Sequence, residues 1–266
     1  MRVTPADIAL AERLADAAGA AIRPYFRRPH GLETKADHSP VTLADREAEA
    51  AMRTLIEQAF PDDAIIGEEY GTKDGSSGRA WVLDPVDGTR AFVSGRPIFG
   101  TLIGLMIEGW PMLGIIDQPI LKERWLGVIG QPTLFNGTPT RTRLCPALEG
   151  AALATTSPHA FDDHQADHFV ALARAAAGGK MRQGPIYGGD CYNYGCLASG
   201  QLDIVVEAGL KIHDFVALVP VVEGAGGRMC DWAGDPLTAD STGEVIAAGD
   251  PARIEEIVET LSCHGH

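Results

Sequence analysis

Positive charge is scarce in this chain. Its 266 residues carry 22 Lys and Arg against 36 Asp and Glu, a formal net charge of −14. That deficit argues against a nucleic-acid binder, whose target phosphates demand a basic footprint. It argues equally against adhesion to an anionic membrane surface. Cysteine is sparse as well: there are five, an odd number, with no paired metal spacing. Reduced thiols in a cytoplasm are therefore expected, with Cys191 and Cys196 as packing residues in an apolar, aromatic segment. No apolar run is long enough to span a bilayer, and the start of the chain lacks an export pattern. No repeat, low-complexity tract or flexible linker is visible. What remains, 45% hydrophobic and 22% charged, is the composition of an ordinary globular protein. An anionic substrate would need local positive charge, and bound metal ions can supply it.

Periodicity divides the chain into two halves. Thr4-Pro5-Ala6-Asp7 opens a helix, and Ile8, Ala11, Leu14, Ala15, Ala18, Ile22 and Phe26 recur at helical spacing. A second helix is predicted from Thr42 to Ala59. Arg79 to Leu83, Phe99 to Ile107, Met112 to Ile116 and Arg124 to Ile129 read as strands, with a reversal at Glu108-Gly109-Trp110-Pro111. Beyond Phe135-Asn136-Gly137, strands are expected at Ala151–Thr155, Lys180–Gln183, Asp203–Glu207 and Val245–Ala248. Helices are expected at Asp162–Ala176, His213–Gly224 and Ala252–Ser262. Pro220 should kink the second of these. The expected class is α+β, or mixed α/β, with an N-terminal half over 1–135 and a C-terminal half over 136–266, packed as one unit.

The densest signal is Trp81-Val82-Leu83-Asp84-Pro85-Val86-Asp87-Gly88-Thr89, an apolar run that ends in two aspartates, a glycine and a threonine. A second acidic element, Gly67-Glu68-Glu69, closes the run Ala64-Ile65-Ile66. In a strand-to-turn conformation the side chains of Asp84 and Asp87 can converge, and the Val86 carbonyl can face the same point. Two carboxylates about 4 Å apart repel by roughly 4 kcal/mol at an effective dielectric of ~20. A hard divalent cation, which takes oxygen ligands, relieves that repulsion. Gly88 and Thr89 resemble the start of a helix, where free N–H groups attract an anion. A lone Asp-x-x-Asp is most often a solvated turn; the glycine-threonine continuation and the second acidic element favour metal-assisted phosphate chemistry.

Together with His213-Asp214 and Glu223-Gly224-Ala225-Gly226-Gly227, these blocks resemble the inositol monophosphatase superfamily of magnesium-dependent, lithium-sensitive phosphomonoesterases. The resemblance reaches back to Lys35 and to Ser39-Pro40-Val41-Thr42-Leu43-Ala44-Asp45. It implies a layered αβαβα sandwich of the sugar-phosphatase type, Mg²⁺ as two or three ions per site, and a homodimer. It also implies roles. Glu68, Asp84, the Val86 carbonyl, Asp87 and Asp214 would hold metal. Asp45 and Thr89, with Glu68, would carry catalysis by activating water. Gly88 and Thr89 would hold the phosphate. Glu68, Val86, Asp87 and Asp214 would line the substrate site with them, and Gly188, Gly189, Asp190 and Glu207 would touch the organic group. Glu69 can be read as a ligand or as a supporting or solvent-facing residue. His213 stands where the family usually has an aromatic and reads as packing or support; the other histidines show no ligand spacing.

Two segments bear on the branch. Arg90-Ala91-Phe92-Val93-Ser94-Gly95-Arg96-Pro97-Ile98-Phe99-Gly100-Thr101 and Gly188-Gly189-Asp190-Cys191-Tyr192-Asn193-Tyr194-Gly195 resemble histidinol-phosphate phosphatases. The small phosphorylated substrate would then be L-histidinol phosphate, in histidine biosynthesis. Its ammonium and imidazole suit acidic residues at 190 and 207. Asp190 could equally cap the following helix, and the two roles are compatible. The alternatives are an inositol-1-phosphate phosphatase, a broad phosphomonoesterase, or a metal-dependent phospho-ligand sensor without turnover.

Overall fold

The computed structural model describes residues 2–28, 32–34, 40–178 and 184–262. Lys35, Ser39 and the strand expected over Lys180–Gln183 lie outside the described residues. Helix α1 (Pro5–Ile22) starts as its sequence requires: Thr4 caps it and Asp7 reciprocates on the Thr4 N–H. A single turn of 3₁₀ helix follows, and a small antiparallel pair, β1 (Leu32–Thr34) and β2 (Pro40–Thr42), leads into α2 (Leu43–Ala59). The first large sheet holds β3 (Ala64–Gly67), β4 (Gly71–Lys73), β5 (Arg79–Asp87), β6 (Gly100–Ile107), β7 (Trp110–Gln118), β8 (Glu123–Val128), β9 (Leu134–Phe135) and β10 (Thr138–Pro139). Its strand order is β10-β9-β8-β7-β6-β5-β3-β4, antiparallel except where β3 runs beside β5. A short helix, α3 (Thr89–Val93), follows β5.

The second sheet is assembled from β11 (Leu153–Thr155), β12 (Ile186–Tyr187), β13 (Ile204–Glu207), β14 (Arg228–Cys230) and β15 (Val245–Ala248), in the order β12-β11-β13-β15-β14. Between and beyond these strands run α4 (Asp163–Ala176), α5 (Asp190–Ala198), α6 (Ile212–Phe215), α7 (Leu218–Gly224) and α8 (Ile254–Ser262). The long helix expected over His213–Gly224 is two pieces. The break at Val216-Ala217 is where Pro220 forbids continuation, since its ring collides with the carbonyl four residues back.

Three apolar clusters define the layers. One joins α1 and α2 to a face of the first sheet, through Leu14, Ala18, Met52, Ile56, Trp81 and Ile103. The second fills the space between the two sheets, where Val82, Leu102 and Trp125 meet Tyr194, Phe215 and Val221. The third packs α4 and α8 on the outer face of the second sheet, around Phe169, Ile204, Ile246 and Ile257. The result is an αβαβα stack, as the family resemblance implied.

The middle layer lies unusually close to the first sheet. Gly104, Gly114 and Gly127 sit opposite one another on β6, β7 and β8. A Cβ at Gly114 would lie 1.9 Å from the Ala217 carbonyl oxygen, and one at Gly127 2.2 Å from that of Pro220. The three glycines form a trough in which Gly114 and Gly127 receive the backbone at Ala217 and Pro220 directly and Gly104 receives the Val216 side chain. At the other end of β5, Arg79 joins α1 to the sheet by pairing with Asp7 and Asp63, and the Trp81 indole donates to Asp63 at 3.0 Å. These contacts anchor the start of β5. Among the described residues no helix is long and apolar enough to cross a membrane.

Candidate active site

A regular strand would place Asp84 and Asp87 on opposite faces, because their separation is odd. The structure solves this with a bulge. Asp84 pairs with Leu102 but Asp87 with Gly100, so β5 carries one extra residue. Thr101 secures the bulge by donating to the Pro85 carbonyl at 2.7 Å, and the Val86 N–H donates to Asp84 Oδ1 at 3.0 Å. Both carboxylates now face one point, where Asp214 of α6 joins them from the other half of the chain. Ligand oxygens of Asp84, Asp87 and Asp214 all lie within 4.8 Å of one another. The Lys211 N–H donates to Asp214 Oδ2 at 2.7 Å, and the Cys191 N–H donates to Asp87 Oδ2.

Burial and mutual repulsion dominate the electrostatics. Burial raises Asp84 well above the usual carboxylate range, with Glu68, Asp87, Asp214 and Asp45 adding to it. Asp87 is raised by burial, then by Asp190 and Asp214; Asp214 is raised chiefly by burial. An all-oxygen, acidic, buried donor set of this kind fits a hard divalent cation such as magnesium. Thr89 Oγ1 donates to the Val86 carbonyl at 3.2 Å, and Gly88 precedes it with φ of +88°. Asp45 is buried in the first turn of α2. Glu68, half-buried beyond β3, donates its N–H to the Leu83 carbonyl at 3.2 Å. Glu68 stands outside the tight trio but close enough to act on both Asp84 and Asp214. His213 Nε2 is 3.5 Å from Asp214 Oδ1, a neighbour of the trio rather than a member.

The residues expected to touch an organic group come from the second sheet and α5. Gly188 and Gly189 lead into α5, whose first residue, Asp190, has φ of +43°. Gly189 occupies the cap position and no side chain caps this helix, so the capping role considered for Asp190 is not the one it plays. Its carboxylate instead lies against Gly88: a Cβ there would sit 2.9 Å from Asp190 Oδ2. Tyr192 donates to Glu123 at 2.7 Å and Trp125 to Ser199 at 2.8 Å, fixing α5 to the first sheet. Glu207, at the end of β13, accepts from the Thr156 N–H and hydroxyl, each at 2.8 Å, and from Thr155 Oγ1 at 3.3 Å. Asp87, Thr156, Asp190, Tyr194, Glu207 and Asp214 line one cavity of about 110 Å³. Roomier hollows of about 630 and 710 Å³ lie beside Arg141 and around Arg124, but in the second the carboxylates Glu12, Asp16 and Asp117 are accompanied by Arg23, Lys122 and Arg124; volume alone does not locate the site.

Three supporting residues escape a sequence reading. Glu49 is fully buried and accepts from the N–H groups of Glu69 and Tyr70 at 2.8 and 3.1 Å, while Arg53 pairs with it at 2.7 Å. It ties the Glu68 loop to α2. Its signal was available: Asp45 and Glu49 are four apart on the face carrying Ala48 and Met52. Thr156 follows β11 beside the parallel strand β13, at strand ends where such sites gather. Tyr194 has no comparable sequence signal.

The sequence model of the inositol monophosphatase family matches residues 6–266. The chain belongs to that family. Within it, the chloroplastic bifunctional phosphatase IMPL2 of Arabidopsis thaliana is 48% identical, over 96% of this chain and 75% of that protein. A histidinol-phosphatase of Chlorobaculum parvum is 36% identical, over 92% and 93%. Among solved structures, the inositol monophosphatase of Zymomonas mobilis is 54% identical, covers 97% of this chain and 98% of its own, and superposes with a TM-score of 0.87.

The raised carboxylates fix how metal-free stability should vary with pH. Burial lifts Glu207 to about 7; burial and Asp214 lift Asp190 to about 6, against the pull of Arg90 and Arg96. Unfolded values are ~4.3 and ~3.9. Between these limits the folded chain holds more protons than the unfolded one, so stability falls as pH rises through about 6 to 7. Asp7 and Asp203, whose values are lowered, act only at more acid pH. Chelator-treated protein is expected to melt at lower temperature near pH 8 than near pH 5.5, and Mg²⁺ to restore more at the higher pH. A melting temperature that climbs across this window without metal would contradict the argument.

Proposed function

We propose that this phosphatase is magnesium-dependent and hydrolyses L-histidinol phosphate to L-histidinol and phosphate, as a step of histidine biosynthesis. The observation that carries the substrate reading is the position of Asp190, against Gly88 on one side and in the cavity with Glu207 on the other. In histidinol phosphate the ammonium stands one carbon beyond the ester methylene, and the imidazole one methylene further. A carboxylate beside the phosphate cradle, with a second carboxylate deeper in the cavity, matches that order of groups.

In this reading Asp84, Asp87, Asp214, Glu68 and the Val86 carbonyl hold the magnesium ions, two or three per site. When bound, they lower the pKa of the attacking water and neutralise charge on the leaving oxygen. Gly88 and Thr89 orient the phosphate. Thr89 gives its hydrogen to Val86, which leaves its oxygen to accept from water, and Asp45 takes up the proton. Asp190 receives the ammonium and Glu207 the imidazole N–H. The enzyme acts as a homodimer.

The likeness to the Zymomonas mobilis enzyme keeps inositol 1-phosphate as the second reading. Phosphate release from histidinol phosphate, inositol 1-phosphate, fructose 1,6-bisphosphate and adenosine 3′,5′-bisphosphate separates them; a preference for inositol 1-phosphate rejects the substrate reading and spares the metal chemistry. Asp190→Asn keeps the shape and removes the charge. A charge-assisted hydrogen bond is worth roughly 1.5–3 kcal/mol, so kcat/KM on histidinol phosphate should fall about ten- to a hundred-fold. Activity on an uncharged phosphomonoester should change little. Equal losses on both would make Asp190 a structural residue.

A further inference from the structure

Tyr194 brings a hydroxyl to the cavity that the reading above does not use. The residue is 2% exposed and its ring packs between the sheets. Its oxygen is buried and makes no hydrogen bond to any of the described residues. A buried hydroxyl without a partner costs stability, and phenylalanine would fill the same space without that cost. A group kept at such expense beside an acidic cavity points to a ligand that completes it.

The surroundings specify the ligand's chemistry. Tyr194 lines the cavity with Asp87, Asp190, Glu207 and Asp214. Burial raises the phenol's pKa well above its ordinary value, and the charges of Glu207, Asp87 and Asp214 raise it further, so it keeps its proton. The Thr156 hydroxyl is already given to Glu207. Among the described residues on this wall, Tyr194 is the hydroxyl still free to donate, set among carboxyl groups that, once ionised, only accept. The organic group must therefore offer one acceptor beside one donor. A neutral imidazole has that pattern, with one N–H and one bare nitrogen.

We propose that Tyr194 donates to the bare ring nitrogen of the substrate's imidazole while Glu207 accepts from the N–H of the other. Tyr194 is then a specificity residue for the ring, distinct from the metal and phosphate machinery. This inference rests on the reading of histidinol phosphate as substrate.

The test compares Tyr194→Phe with wild type on L-histidinol phosphate and on O-phosphoethanolamine, which keeps the phosphate and ammonium but has no ring. Wild type is first compared on histidinol phosphate and inositol 1-phosphate. Preference for inositol 1-phosphate there overturns the substrate reading and the imidazole assignment with it. If histidinol phosphate is preferred, Tyr194→Phe should lose about ten-fold in kcat/KM on it, mostly through KM, and stay within about two-fold on phosphoethanolamine. Its metal-free melting temperature should equal or exceed wild type. Unchanged activity on histidinol phosphate, equal losses on both substrates, or a lowered melting temperature overturns the role of Tyr194 and leaves the substrate reading standing.

Discussion

Replacing Asp87 by Asn is expected to remove at least about two orders of magnitude of kcat, because a bound metal supplies several kcal/mol of transition-state stabilisation. The substitution is well matched to the site. Asn has the same shape, and its amide oxygen can still accept the Cys191 N–H that Asp87 Oδ2 receives. What disappears is one of the three charges gathered within 4.8 Å. The folded chain should survive, with a metal-free melting temperature no lower than wild type, since a buried repulsion has been relieved. Chelation of the wild type should reproduce the loss, and added Mg²⁺ should reverse it for wild type alone. Steady-state phosphate release with and without chelator, paired with thermal melts, checks both halves. Full activity in the variant or in stripped protein would remove the basis for a metal-dependent mechanism.

Thr89→Ala should separate turnover from binding. The Thr89 hydroxyl is committed to the Val86 carbonyl at 3.2 Å, so its oxygen faces any water as an acceptor. Proton transfer by a positioned group contributes roughly 10²–10⁴-fold. Thr89→Ala is expected to lower kcat by about 10²-fold or more while KM changes only a few-fold, the pattern of an interaction made in the transition state. Alanine fits the first turn of α3, so the local backbone is preserved. Kinetics showing a raised KM with an unaltered kcat would assign Thr89 to binding or to the helix start instead.

Much of this arrangement could be read in the sequence because the sequence states it locally. Thr4 opens α1 as its sequence suggests, and the apolar periodicity of that helix is the face it buries. The convergence of Asp84 with Asp87 was expected from a strand-to-turn conformation; the bulge that achieves it depends on register with β6 and has no local code. Asp190 shows the limit differently. Acidic residues before helical runs commonly cap them, yet here two glycines with positive φ turn its carboxylate toward Gly88, across the boundary between the halves. Tyr194 was invisible for the same reason. A tyrosine at a helical spacing looks like any core aromatic until the fold shows that its oxygen has no partner among the described residues.

The glycine trough has an evolutionary consequence. Asp214 stands six residues before Pro220, and the segment that follows it rests on Gly104, Gly114 and Gly127, main chain against main chain at Gly114 and Gly127. At Gly114 and Gly127 no rotamer lies between the two surfaces, so drift in neighbouring side chains has little purchase on the distance from β5 to α6. The reverse also holds. A methyl group acquired at Gly114 would lift Ala217 and carry Asp214 with it, so a lineage could lose its metal site through a change in the middle of a sheet, with every acidic residue still in place.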